Sequence, residues 1–211
     1  AYDGIPLLAT VWADENYEIG FVESIPKFHV WTWNGKKASR YQFENDINRN
    51  HIFGFEIYPK KNEILSHLWE AYRLDSLRGQ WDYIEPVLFG YAAGQVIESF
   101  VKWNIEDDDN IVAHFHEWMT GAGVLYLKEN CPQIATAFTT HATYLGRAIS
   151  GNGLALYNDL ATFEPNAMAN RFNITSQQSM EYNAAQNADV FTTVSEVTAE
   201  ECKQFLQREP D

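Results

Sequence analysis

The residues able to do chemistry collect in three short stretches of the second half of the chain. They are His114-Phe115-His116-Glu117-Trp118, then Thr139-Thr140-His141-Ala142-Thr143 leading to Gly146-Arg147, and then Ser195-Glu196. Imidazoles exchange protons near neutral pH, a guanidinium neutralises an oxyanion, and a carboxylate can orient both. Each stretch follows a short apolar run that reads as a strand: Ile111-Val112-Ala113, Ile134 to Phe138, and Val190 to Val194. Ligands of open parallel sheets bind outside the carboxyl ends of the strands, so three polar stretches after three strands predict a site along one sheet edge.

Other chemistries fit less well. His114 and His116 are two apart, so on a strand their rings share a face, and Glu117 follows. Zinc needs at least a third protein ligand, and neither Cys131 nor Cys202 sits in a ligand pattern, so no metal is assigned. Gly121-Ala122-Gly123 and Gly151-Asn152-Gly153 lack the third glycine of a dinucleotide loop, and no serine stands in a nucleophile elbow. His141, in a strand-to-helix loop between threonines, reads either as a structural histidine or as a catalyst. Arg147, at the start of a helix, meets either a phosphate or a neighbouring carboxylate. A side chain at Gly146 is expected to hurt folding or loop geometry if that glycine adopts a left-handed turn.

The elements that must position these residues alternate. A helix from about Trp118 to Lys128 separates the first two strands, and one from Ser176 to Ala188 precedes the third. Thr198 and Glu201 have capping-box spacing for a last helix through Leu206. The pattern predicts the α/β class, a Rossmann-like parallel sheet with helices on both faces. Upstream, Ile64, Leu65, Leu68, Trp69 and Tyr72 recur as one helix face, and Arg78-Gly79-Gln80 breaks the run. A longer helix is expected from Glu85-Pro86, since proline suits a first turn. Its stripe is Leu88, Ala92, Val96, Phe100 and Trp103, and Gly90, Ala93 and Gly94 form a small side suited to close packing. Glu106 to Asp109 reads as a solvated acidic turn. Residues 1–60 differ in texture and read as a separate aromatic-rich β segment, with a hairpin turn at Asn34-Gly35 between Phe28–Trp33 and Tyr41-Gln42-Phe43. Its aromatics either stack on a sugar or pack one face of the hairpin. Residues 61–211 then form one Rossmann-like domain.

Composition bounds the partners. The chain has 211 residues, with Lys and Arg summing to 15 against 29 for Asp and Glu, a net charge of −14 that argues against nucleic-acid or anionic-membrane surfaces. An apolar share of 45% and an aromatic share of 15% supply a core and exclude intrinsic disorder. No stretch approaches the roughly 20 apolar residues of a membrane span, and no basic-then-apolar leader is read. Two distant cysteines point to a reducing compartment, hence the cytoplasm. The start at Ala1 and the stop at Asp211 suggest a piece of a longer protein.

Three segments carry a resemblance. Ala113-His114-Phe115-His116-Glu117-Trp118, Phe138 through Arg147, and Ala188 through Ser195, with Leu156-Tyr157-Asn158 between, resemble glycogen synthase of the animal and fungal type, which some bacteria also carry. The likeness is strong from about Ala92 to Asp211, detectable from about Lys61 and poor before it. It implies half of a two-domain retaining glycosyltransferase that moves glucose from UDP-glucose to the 4-hydroxyl of an α-1,4-glucan. It implies no metal or other cofactor, and a homo-oligomer in full length. It places His141 beside the donor glucose as the catalytic residue, Arg147 at the donor's phosphate side with Thr140 also binding the donor, and His116, Glu117 and Trp118 along the acceptor cleft. The family's Lys-x-Gly-Gly donor segment is missing from this sequence, and its second domain would begin beyond Asp211. The chain is therefore expected to be part of the acceptor-side N-terminal domain, inactive alone. A glucan-binding module without turnover, or a related transferase using another sugar nucleotide, are the competing readings.

Overall fold

The computed structural model describes residues 18–23, 32–33, 36–37, 39–42, 51–56, 60–104 and 110–211, with side chains from residues 60–102 and 110–211. The described N-terminal strands pair antiparallel. Strand β1 (Glu18–Glu23) pairs with β5 (His51–Glu56), which also pairs with β4 (Ser39–Gln42), giving the order β1-β5-β4. Strands β2 (Thr32–Trp33) and β3 (Lys36–Lys37) form a separate pair in the register Trp33↔Lys36. That register fits the two-residue connection expected at Asn34-Gly35, although these two residues themselves lie outside the described ones. Tyr41 and Gln42 belong instead to β4 and face Ile52 and His51 of β5. The acidic run at 106–109 and the aromatic side chains of the first 60 residues also lie outside what is described.

Helix α1 (Lys61–Tyr72) buries Ile64, Leu65 and Leu68, three residues of its expected apolar face, while Trp69 stays exposed at 39%. Helix α2 (Trp81–Asn104) begins four residues ahead of the expected Glu85, with Pro86 inside it. Tertiary contact explains the difference: Tyr83 is fully buried against Trp118, and the carbonyl of Gln80 accepts the amides of Tyr83 and Ile84, so the first turn closes before the proline. The small side of α2 does pack closely. A Cβ on Gly123 of helix α3 (Gly121–Asn130) would lie 2.7 Å from the carbonyl oxygen of Gly90, so the two backbones nearly touch there.

Three strands form a parallel sheet in the order β6-β7-β8, comprising β6 (Val112–His116), β7 (Ala135–Thr140) and β8 (Val190–Thr193). Both crossovers step the same way, so the right-handed rule puts their helices on one face. Helices α3 and α6 (Thr175–Asn187) accordingly share a core with the Phe115, Phe138 and Phe191 face of the sheet. Phe138 and Phe191 are both 0% exposed and stack at 5.9 Å. Burying each such ring contributes roughly 1.5–3 kcal/mol. On the opposite face Val112 and Val190 are 58% and 44% exposed.

Helix α4 (Tyr144–Gly151) follows β7, then come α5 (Pro165–Arg171), α6 and α7 (Glu196–Phe205). Leu145 and Ile149 of α4 meet Met168 of α5 and Phe205 of α7 in a smaller core. The last helix is capped by Ser195, whose Oγ accepts the Thr198 amide, and not by Thr198 in a capping box with Glu201. The serine wins because it retains extended backbone directly after β8, which the cap position requires. No helix among the described residues is long and apolar enough to cross a membrane.

Candidate functional site

Strand β6 extends through His116, beyond the expected end at Ala113. The burial alternates, with Ala113 and Phe115 inside and Val112, His114 and His116 outside, so the histidines project from the open face of a strand. The rings of His114 and His116 lie 4.1 Å apart between centroids. Strand β7 likewise runs through Thr140, and the register sets His116 beside Thr139. His114 Nε2 meets Thr139 Oγ1 at 2.7 Å, and Thr139 Oγ1 meets Thr192 Oγ1 at 2.6 Å, a polar chain across all three strands.

At the carboxyl ends of β6 and β7 the expected groups converge. His116 Nδ1 and His141 Nε2 are 3.2 Å apart, so one ring donates and the other accepts. Burial of its ring first, then the neighbouring His114 and His141, hold His116 below the ordinary imidazole value against the pull of Glu117. Glu117 ties the rim together. Its Oε1 accepts the His141 amide at 3.0 Å and the Arg147 guanidinium at 3.2 Å, while its own amide donates to the Thr139 carbonyl. Arg147 Nε also donates to the Ala142 carbonyl. A guanidinium carries five N–H donors, and these bonds occupy two. Glu117 holds φ 63° and ψ 159°, a region that is essentially glycine's, and such strain costs on the order of 1–3 kcal/mol. Here it turns the carboxylate back over the loop that bears His141.

Two expected site residues stand elsewhere. Trp118 is buried at 6% exposure, stacked on Tyr83 at 6.1 Å and edge-on to Tyr144 at 5.4 Å, so its indole supports the rim from the core. Thr140 is 0% exposed and its hydroxyl is committed to Glu181 Oε1 at 2.6 Å. Gly146 does not occupy a left-handed turn; it lies within α4, where a Cβ would meet Glu201 Oε2 at 2.3 Å. Its requirement is space.

Glu181 and Glu201, 0% and 1% exposed, lie beneath the rim and were not among the expected site residues. The signal was present: Glu181 precedes Ala185 by four residues and Glu201 precedes Phe205 by four, which puts charges on stripes that are otherwise buried. Among the described residues no cluster of three or more His, Cys, Asp or Glu is arranged to hold a metal ion. The rim as built offers imidazole donors and a cation beside a fixed carboxylate, a set suited to hydroxyl groups and to charge developing on phosphate oxygens.

Comparison with known proteins gives these residues a setting. The profile of the family described as Glycogen synthase matches residues 53–211, beginning within β5. The chain is similar to the Glycogen [starch] synthase of Neurospora crassa, with 36% identity over 154 residues, 73% of this chain and 22% of that protein. It is similar to the enzyme of the same name from Caenorhabditis elegans, at 37% over 152 residues, 72% of this chain and 23% of that one. Against the Dictyostelium discoideum protein the identity is 31% over 160 residues, 76% of this chain and 18% of the relative. The chain spans about a fifth of the length of the curated relatives it matches.

Proposed function

The chain belongs to the glycogen synthase family, and on that footing we propose that it supplies the acceptor-side rim of a retaining glucosyltransferase. The longer protein would move glucose from UDP-glucose to the 4-hydroxyl at the non-reducing end of an α-1,4-glucan. This chain by itself would not complete the reaction. The observation that supports the reading is the junction at Glu117, whose carboxylate joins the His141 amide and the Arg147 guanidinium beside His116 at the strand ends.

In the proposed step the bond between the anomeric carbon and the diphosphate oxygen breaks, and its electron pair leaves with the diphosphate. The acceptor hydroxyl bonds to the same face of that carbon, and its proton passes to the leaving phosphate oxygen. Arg147 offsets charge on the departing phosphate. His141, with its amide already fixed, offers its ring to the sugar where positive charge grows, an arrangement that fixed donors perform better than mobile water. His116 and Glu117 line the sugar cleft, and Trp118 braces it from beneath. No metal or cofactor is assigned to this chain in the reading. It carries with it a homo-oligomeric enzyme in the cytoplasm.

The test uses the longer protein that contains this chain, with glycogen or maltooligosaccharide as primer and a panel of sugar nucleotides. The expected result is transfer from UDP-glucose with α-1,4 linkage in the product, read by NMR. Preference for another sugar nucleotide would replace the donor. Saturable maltooligosaccharide binding with no turnover on any donor would replace the enzyme with a binding module.

A further inference from the structure

The segment from Thr140 to Tyr144, which carries His141 across its exposed middle, is gripped from below by two carboxylates. Glu181 on α6 accepts the Thr140 hydroxyl at 2.6 Å with one oxygen and the Tyr144 amide at 2.8 Å with the other. Glu201 on α7 accepts the Thr143 hydroxyl at 2.8 Å and the Tyr157 hydroxyl at 2.9 Å. Thr143 Oγ1 in turn accepts the Gly146 amide at 3.0 Å and so caps α4. Because the Thr143 hydroxyl donates its hydrogen to Glu201, a lone pair of its oxygen is left to accept from the amide.

Burying a carboxylate is expensive, and the hydrogen-bond partners of this pair are hydroxyls and one amide. A neutral cap such as Thr143 alone already satisfies a helix start. What the carboxylates add is geometry: each has two acceptor oxygens at a fixed spacing, and each oxygen here holds a different point of the chain. The fixed points, 140, 143 and 144, bracket His141, and α4 carries Arg147 one turn further on.

We propose that Glu181 and Glu201 are positioning residues that fix the β7–α4 segment and thereby the placement of His141 and Arg147. The proposal rests on the glucosyltransferase reading for its functional consequence, whereas the anchoring itself can be measured without any activity. Neither carboxylate touches the rim; both act through Thr140, Thr143 and Tyr144.

The experiment uses the longer protein with Glu181→Gln, Thr143→Val and Thr143→Ser, assayed well below their melting temperatures. Thr143→Val leaves both carboxylates in place and keeps the question open should Glu181→Gln fail to fold. Two readouts are taken: kcat and the KM for primer with UDP-glucose, and amide hydrogen exchange over residues 140–147. Glu181→Gln and Thr143→Val should speed exchange at Tyr144 or Gly146 while β6 and β7 stay protected. They should lower kcat about tenfold to a hundredfold with primer KM unchanged, the penalty of a misplaced reacting group. Thr143→Ser, which keeps the hydroxyl, should restore both. Unaltered exchange overturns the anchoring, and accelerated exchange with wild-type kcat reduces it to stability alone and overturns the positioning role. Should the wild-type protein transfer no glucose, the proposed function falls separately, and the exchange results still decide whether the carboxylates hold the segment.

Discussion

Replacing Gly146 by alanine probes how tightly the His141 loop is pinned. The added Cβ would lie 2.3 Å from Glu201 Oε2 and 2.7 Å from Thr143 Oγ1, both in side chains that are almost wholly buried. Glu201 must retreat, and retreat strains or breaks its bonds to Thr143 and Tyr157. A hydrogen bond to a charged acceptor is worth about 1.5–3 kcal/mol, and overpacking adds about 1–3 kcal/mol. Alanine returns up to about 1 kcal/mol of helix propensity. Loss of one such bond with modest strain leaves a net cost of roughly 2–4 kcal/mol, or about 4–16 °C in melting temperature for a chain of this size. Gly151 is the internal control, since it is also in α4 and a Cβ there meets nothing within 4 Å. Gly151→Ala should stabilise by about 0.4–1 kcal/mol. Both variants are compared with wild type by thermal and denaturant unfolding. If Gly146→Ala melts as high as Gly151→Ala, Glu201 is not pinned and the reasoning fails.

Three further perturbations read other parts of the account. Glu181 has its pKa pushed up to about 7 by burial, opposed by its bonds from Thr140 and Tyr144, with Glu117 raising it and Arg147 lowering it. An unfolded carboxyl titrates near 4.5, so the stability linked to this proton is present below that pH and is lost as pH rises to about 7. The difference in unfolding free energy between wild type and Glu181→Gln should therefore change by on the order of 3 kcal/mol across that window; a pH-independent difference contradicts the assignment. Glu117→Gly relieves a backbone strain of about 1–3 kcal/mol while removing the anchor of His141 and Arg147, so melting temperature should hold or rise as transfer falls in the longer protein. Lower stability with unchanged turnover would refute that division of roles. Trp118→Ala should cost about 3–5 kcal/mol as a core deletion, and near-normal stability with lost glucan affinity would return the indole to the cleft.

Much of the sheet and the rim could be read from residue order. The three strands and α6 fall where their apolar runs and amphipathic spacing put them, because period and turn chemistry agree there. The expected strand ends at Ala113 and Phe138 fall short of His116 and Thr140, since polar side chains on an exposed strand face look like a loop when only polarity is followed. The short helix α5 escaped notice although Pro165 stands at its start and the Glu164 side chain caps it. His116, Glu117, His141 and Arg147 are legible as a group, but the resemblance that places Trp118 along the cleft carries no mark of which way the indole faces, and here it is buried. The helix stripes of α6 and α7 mark the carboxylates at 181 and 201 as buried, but their partners are a tertiary fact, since only the fold brings both helices beneath the loop after β7.

The most direct measurement is glucose transfer from UDP-glucose to glycogen by the longer protein, wild type against His141→Ala. His141 is exposed, so the variant should fold as the parent does. In that variant kcat should fall about 10²–10³-fold, the loss expected when one fixed donor to a charged transition state is removed. Wild-type turnover by a folded His141→Ala protein would contradict it.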